Sequence, residues 1–383
     1  MPLVFVHGVA TRNSPKYRIA VAQRDALFKR LVIGKDEPVF NPNWGDHAVR
    51  FVKGGWVPDS DATEPFGSGI PFATGTGPSI AATAASRSKK TVEVGVDLAL
   101  ASLLARDVER GSLPTEDELR VFVAAVRYLE QGGDHTAFAP TETDVQFADT
   151  LRQELGLASS AGPAEAMGIG DVFSSIGDAL KSVTDRVRNT GSDAVLRLIR
   201  KPLSNQVALF LGDIFVYLRW RETDSANGTY SRIFEPIIDA LAQANKATQA
   251  GQKLIVVGHS LGAVILYDML TDEKALAEVK NRSGKSLSVD AWVSVGAQPG
   301  LFADMGLYDR QREADGRLRK PDGVQRWMNV YDITDVLSFR TEPFFSGVRD
   351  YEFDNVSGAL EAHSAYFQRP SFYKRLRARL DEP

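Results

Sequence analysis

The chain has 383 residues, 43% of them apolar and 25% charged, with a formal charge of -4 and no cysteine. The missing cysteine excludes disulfides, thiolate zinc sites and a cysteine nucleophile, and the small net charge lacks the basic footprint of a nucleic-acid binder. The length suits one large core with a sizeable insertion, or two domains.

The N-terminal MPLVFVHGVATR has no basic stretch and only a short apolar run, so a secretory leader is not expected. No stretch approaches the roughly 20 apolar residues of a membrane span. The longest, Val207 to Trp220, is interrupted by Gly212-Asp213. The expectation is a cytoplasmic protein, with peripheral membrane contact considered below.

Leu3 to Val6 is an apolar run ending at His7-Gly8, as a strand buried on both faces reads. Helical spacing from Tyr17 to Leu31 and a short strand at Val39-Phe40 complete a βαβ unit. From about Pro58 to Ser88 Gly, Pro, Ser, Thr and Ala dominate, which predicts a loop. Helical periodicity returns over 92–108, 116–130 and 143–155, and Pro114-Thr115 gives the second of these a start signal.

Ile169, Val172, Phe173, Ile176, Leu180, Val183 and Val187 then form one apolar stripe at helical spacing. Packing within the protein is the simpler reading of that stripe. The other is a lid over an apolar pocket, or peripheral membrane contact through residues 165–205. Residues 59–205 are therefore expected to be a helical insertion, cap or lid between two parts of an α/β core, 1–58 and 206–383.

The α/β rhythm resumes with a helix over 230–249, a strand over 253–257, a helix over 261–270 and strands over 289–295, 327–331 and 348–353. A basic helix over 370–380 closes the chain. Strands alternating with helices predict a mainly parallel sheet wound by right-handed crossovers.

Within this rhythm, Lys253 to Val257 runs straight into Gly258-His259-Ser260-Leu261-Gly262, and an apolar helix follows. Bare GxSxG is a weak signal, but strand, turn and helix together are what a nucleophile elbow requires. The serine would sit on a tight turn flanked by small residues, with the Leu261 N–H available to an oxyanion.

With VFVHG at 4–8 and VVGHSLG at 256–262, the sequence resembles the α/β-hydrolase superfamily, in particular its lipases and esterases. The resemblance covers the two ends of the chain and not residues 60–205. Ala263 stands where many lipases have a second glycine. The resemblance implies Ser260 as nucleophile, with His7, Gly8, Gly258, His259 and Gly262 shaping the motifs. It also implies a second oxyanion donor from the loop after the first strand, the N–H of Val9 or Ala10.

A serine hydroxyl needs a base. Of the five histidines, His7 and His259 belong to motifs and His47 and His135 precede the serine. The hydrolase order of serine, acid, histidine leaves His363. Asp332 and Asp335 both follow the 327–331 strand. Asp335, just before Val336-Leu337, fits the family's pattern better, and Asp332 suits a turn cap. Gly296 to Gly300, near the active edge, reads as a turn rather than as pocket lining, the other reading open to it, and Trp44-Gly45-Asp46 is assigned no chemistry. Gly75-Thr-Gly77 is no nucleotide motif, and neither metal nor cofactor is expected.

The expected activity is hydrolysis of carboxylic esters, lipid or acyl esters in particular, through an acyl-enzyme. A thioesterase or peptidase could use the same triad, and a non-catalytic binding or signalling protein could use the same scaffold.

Overall fold

In the computed structural model the described residues are 1–51, 81, 85, 89–157, 163–189, 192–354 and 362–382. The Gly/Pro/Ser/Thr/Ala-rich segment, apart from Ala81 and Ala85, lies outside them, as do residues 355–361. The chain divides into two compact units. One comprises Met1–Val21, Val32–Arg50 and Leu209–Tyr366, the other Ala22–Leu31, Phe51–Ala208 and Phe367–Pro383.

The first unit is an α/β fold. Its strands are β1 (Leu3–Val6), β2 (Val39–Phe40), β3 (Ile255–His259), β4 (Val289–Val295), β5 (Leu318–Arg319), β6 (Val324–Tyr331), β7 (Phe345–Ser346) and β8 (Val348–Glu352). Six of them form one sheet in the order β2-β1-β3-β4-β6-β8, and β5 pairs with β7 separately. Every pairing is parallel, with Leu3 opposite both Val39 and Ile255, Ile255 opposite Ala291, and Trp327 opposite Val348. All four residues of β1 and the first four of β3 are buried, which is why these strands read as unbroken apolar runs.

The helices, in chain order, are α1 (Pro15–Phe28), α2 (Lys89–Arg110), α3 (Glu116–Glu130), α4 (Asp144–Glu154), α5 (Pro163–Asn189) and α6 (Ser192–Ala226). They continue with α7 (Glu235–Ala247), α8 (Leu261–Leu270), α9 (Glu273–Ser283), α10 (Pro299–Asp304), α11 (Ala362–Ala365) and α12 (Pro370–Asp381). Two of these pack on the sheet. α7 buries Ile237, Ile238, Leu241 and Ala244 on one stripe, and all ten residues of α8 are buried. The 230–249 stretch is thus less uniform than its periodicity predicts: a 3₁₀ turn over Arg232–Phe234 precedes α7. α6 runs straight through Gly212-Asp213, because both residues have specific neighbours, described below.

β1 leads to β2 on one side, and the chain returns to β3 on the other side of β1. The connections leaving β1 and β3 therefore diverge at their carboxyl ends, which makes this the point where the strand order reverses. His7-Gly8 and Ser260 stand at this point.

The neighbouring strands carry a buried polar strut. Trp292 and Trp327 face each other across β4 and β6 and stack at 3.9 Å between ring centroids. Trp327 Nε1 donates to Ser294 Oγ at 2.9 Å, and Ser294 Oγ donates to Asn329 Oδ1 at 2.9 Å. The Asn329 amide then donates to the Phe339 carbonyl at 3.0 Å and to Asp350 Oδ1 at 2.9 Å. Asp350 also accepts the Thr341 N–H at 3.0 Å. The loop after β6, which contains Asp335, is thereby tied at its far end.

The second unit is helical. Reciprocal Thr115–Glu118 and Thr143–Gln146 capping boxes start α3 and α4, placing the first of these where Pro114-Thr115 predicts it. Ile169, Val172, Phe173, Ile176 and Leu180 on α5 are buried, so this part of the apolar stripe is core. The side chains of Val183 and Val187 lie outside the described residues. The unit also takes in Ala22–Leu31 and the C-terminal Phe367–Pro383, which meet where the Phe28 ring contacts Tyr373 edge-on at 5.2 Å. No helix among the described residues is long and apolar enough to cross a membrane.

Asn329→Ala should lower the unfolding free energy by about 1–3 kcal/mol, because it strands buried partners on β4 and in the loop that carries Asp335. Urea denaturation would measure this, and a change within about 0.5 kcal/mol would refute the strut.

Candidate active site

Gly8, at the end of β1, lies against Ser260. A Cβ built on Gly8 would stand 2.6 Å from Ser260 Cβ and 3.1 Å from its Oγ. Only a hydrogen fits there. Gly262 is confined in the same way: its Cβ would meet the Val6 and His7 carbonyl oxygens at 2.5 Å. At Gly258 the obstruction is Ala263 Cα, 2.8 Å from the position of a Cβ. Three glycines thus let β1, β3 and α8 meet almost backbone to backbone. Ala263, the departure from a double glycine, is fully buried in that contact.

Ser260 has φ +54° and ψ -132°, a conformation that side chains rarely adopt. Its N–H donates to the Val295 carbonyl at 3.0 Å, which ties the turn to the end of β4. Leu261 is the first residue of α8, where N–H groups have no partner within the helix.

At the same sheet edge, His363 Nδ1 lies 2.9 Å from Asp335 Oδ2 and 3.1 Å from Oδ1. A carboxylate can only accept, so Nδ1 donates to it, and in a neutral ring held this way the lone pair lies on Nε2. Asp335 is buried. It also accepts the Leu337 N–H at 3.0 Å and the Tyr366 hydroxyl at 2.9 Å. Burial alone would raise its pKa, but the His363 hydrogen bond and charge, with the Leu337 and Tyr366 bonds, outweigh it and hold the carboxyl below its ordinary 3.8. Burial and the nearby Asp335 carboxylate push the Tyr366 phenol far above its ordinary range, so it remains a donor.

Asp332, the other acid considered, accepts from the Thr334 N–H and hydroxyl at 2.7 and 2.8 Å, as a turn cap does. Gly296 ends β4 with φ +55° and packs on the pair: its Cβ would stand 3.0 Å from Asp335 Oδ2 and 3.5 Å from His363 Nδ1. Gly296 is thus a bend on which Asp335 and His363 rest, and Pro299-Gly300 already belong to α10 rather than to a turn.

Ser260 Oγ and His363 Nε2 are both buried, and among the described residues neither has a hydrogen-bond partner. The serine–histidine bond is therefore not made in this structure. Such bonds often tighten only around a substrate.

Three features were not readable from the motifs. His259 packs its ring on His363, with centroids 4.9 Å apart, and donates from Nε2 to the His363 carbonyl at 2.7 Å. It braces His363, beyond the motif-shaping role that the sequence implies for it. Trp44, assigned no chemistry, stacks on His7 at 5.1 Å and donates its indole N–H to the His7 carbonyl at 2.7 Å. Lastly, the Ala10 N–H donates to Asp213 Oδ2 at 2.7 Å. That N–H is committed, which removes Ala10 as an oxyanion donor. Among the described residues the Val9 N–H has no such partner.

A separate cleft of about 720 Å³ is lined by Arg221, Asp268, Lys274 and Arg310 among others, and by none of Ser260, Asp335 or His363. Its mixed charges select no ligand class.

Set against protein-family models, curated proteins and solved structures, the chain matches none.

Gly8→Ala should slow fluorophosphonate labelling of Ser260 on the order of 10²-fold, since displacement by about an ångström is costly at a reacting centre. Wild-type labelling, with an unchanged melting temperature, would show that the contact is not tight. The Asp335 carboxyl has a lowered folded pKa, so the stability it contributes is full above about pH 3.8 and lost as pH falls through the folded value. The stability gap between wild type and Asp335→Asn should therefore close in acid, and urea melts that show it widening would reverse the sign.

Proposed function

We propose that the chain is a serine hydrolase of the α/β-hydrolase type, acting on carboxylic esters with an apolar acyl group. The observation that carries this reading is the pair of buried, unpartnered atoms, Ser260 Oγ and His363 Nε2, in a site where the other imidazole nitrogen is anchored on Asp335. Buried polar groups are almost always paired, and these two are the hydroxyl and the imidazole nitrogen that a nucleophile and its base would use.

Ser260 Oγ attacks the ester carbonyl while His363 Nε2 takes its proton. Asp335 holds the Nδ1–H tautomer and balances the charge of the imidazolium without taking the proton. The N–H groups of Leu261 and Val9 receive the tetrahedral oxyanion. As the intermediate collapses, His363 returns the proton to the leaving alkoxide and an acyl-enzyme remains. Water, deprotonated by the same imidazole, then releases the acid and restores the serine.

An apolar acyl group is supported by Ile333 and Val336, which flank Asp335 in sequence and are 75% and 69% exposed. Contact of residues 165–205 with a bilayer is a further part of the proposal, and it would use faces other than the buried α5 stripe.

Hydrolysis of a p-nitrophenyl ester series, with thioester and amide analogues alongside, tests the reading. Ser260→Ala and His363→Ala should abolish turnover, and Asp335→Asn should lower kcat by on the order of 10⁴-fold. Asp332→Asn should retain most of it. Turnover that survives in Ser260→Ala would end the proposal, and selectivity for thioesters or amides would reassign the substrate class.

A further inference from the structure

The segment after β1 is held by a buried charge from far along the chain. Asp213, on α6, is fully buried and accepts four hydrogen bonds. The Ala10 N–H reaches Oδ2 at 2.7 Å and the Val49 N–H reaches Oδ1 at 3.0 Å. The Arg12 guanidinium supplies the other two, to Oδ1 at 2.7 Å and Oδ2 at 3.2 Å. Arg12 also donates to the Thr11 and Val49 carbonyls, each at 2.9 Å. A two-pronged ion pair with its remaining hydrogen bonds made fixes geometry as well as charge.

Two close approaches show that this clamp is built into the packing. A Cβ on Gly45 would lie 2.2 Å from the Thr11 carbonyl oxygen, and one on Gly212 would lie 2.8 Å from a Val49 methyl. Gly212, beside Asp213, is what lets α6 come so near.

Ala10 has φ +56°, and among the described residues the only other non-glycine with positive φ is Ser260. Such conformations persist where the surroundings over-determine them. Here the two strained residues belong to the two segments that meet at Gly8.

We propose that Asp213 is a positioning residue for ester hydrolysis: by taking the Ala10 N–H and the Arg12 guanidinium, it sets the Val9–Ala10 turn so that the Val9 N–H is presented to the oxyanion. The proposal rests on the reading of Ser260 as nucleophile. It assigns Asp213 no contact with substrate. Its effect belongs to the tetrahedral state, because a donor fixed beforehand needs no reorganisation when charge develops.

The test uses the full chain and an alkyl trifluoromethyl ketone. Ser260 Oγ adds to its carbonyl carbon, the carbonyl π pair moves onto oxygen, and the serine proton goes to His363. The adduct thus carries the oxyanion without turnover. In Asp213→Ala, kcat should fall on the order of 10²-fold with KM within about threefold. Ketone affinity should fall by the same factor as kcat/KM, and binding of the product carboxylate should be unchanged. Asp213→Asn, which retains one acceptor, should lie between the two.

In wild-type protein, adduct formation should move the Val9 amide proton downfield in NMR spectra and leave Ala10 protected from exchange. This measurement decides the matter even if the variants do not fold. An adduct at Ser260 with no Val9 response, or an Asp213→Ala enzyme with wild-type kcat, overturns the positioning role alone. Failure of wild-type protein to form any adduct at Ser260 overturns the hydrolase reading, and the positioning role with it.

Discussion

The contact on which the site depends is the approach of the β1 carboxyl end to the Ser260 turn. Gly8, Gly258 and Gly262 each leave less than 3 Å where a side chain would begin. That spacing turns three separate elements into one continuous backbone surface around the serine. It also strains Ser260, by about 1–3 kcal/mol for such a backbone. The strain is offset by the burial of every residue of α8, which leaves the helix no alternative seating.

A parallel sheet explains how residues so far apart in sequence share one edge. All six strands of the main sheet run the same way, so the segments following β1, β3, β4, β6 and β8 emerge on one side. Gly8, Ser260, Gly296, Asp335 and His363 stand at or beyond those five strand ends. The reversal of strand order then sends the connections of β1 and β3 opposite ways from the place where Gly8 meets Ser260.

The electrostatics of the site come from two buried carboxylates with different tasks. Asp335 is charged because His363, Tyr366 and the Leu337 amide all donate to it. Asp213 is surrounded by two backbone amides and the fork of Arg12. Each satisfies its hydrogen bonds from its own neighbourhood, as buried charges require. One orients an imidazole, and the other orients backbone.

Much of this was legible along the chain because it is local or compositional. Strands buried on both faces must be apolar runs, a turn this tight needs glycines beside its serine, and five histidines leave few to pair with Asp335. The sequence by itself therefore determined the α/β class, the strand–turn–helix at Ser260, and the short set from which the His363–Asp335 pair comes. The tertiary structure alone decided which aspartate faces His363, what His259 and Trp44 brace, and where the Ala10 N–H goes. Asp213 lies 203 residues from Ala10, and Tyr366 lies 31 from Asp335. No periodicity or motif spans such separations, since a hydrogen bond across them depends on how whole elements pack and not on the order of neighbouring residues.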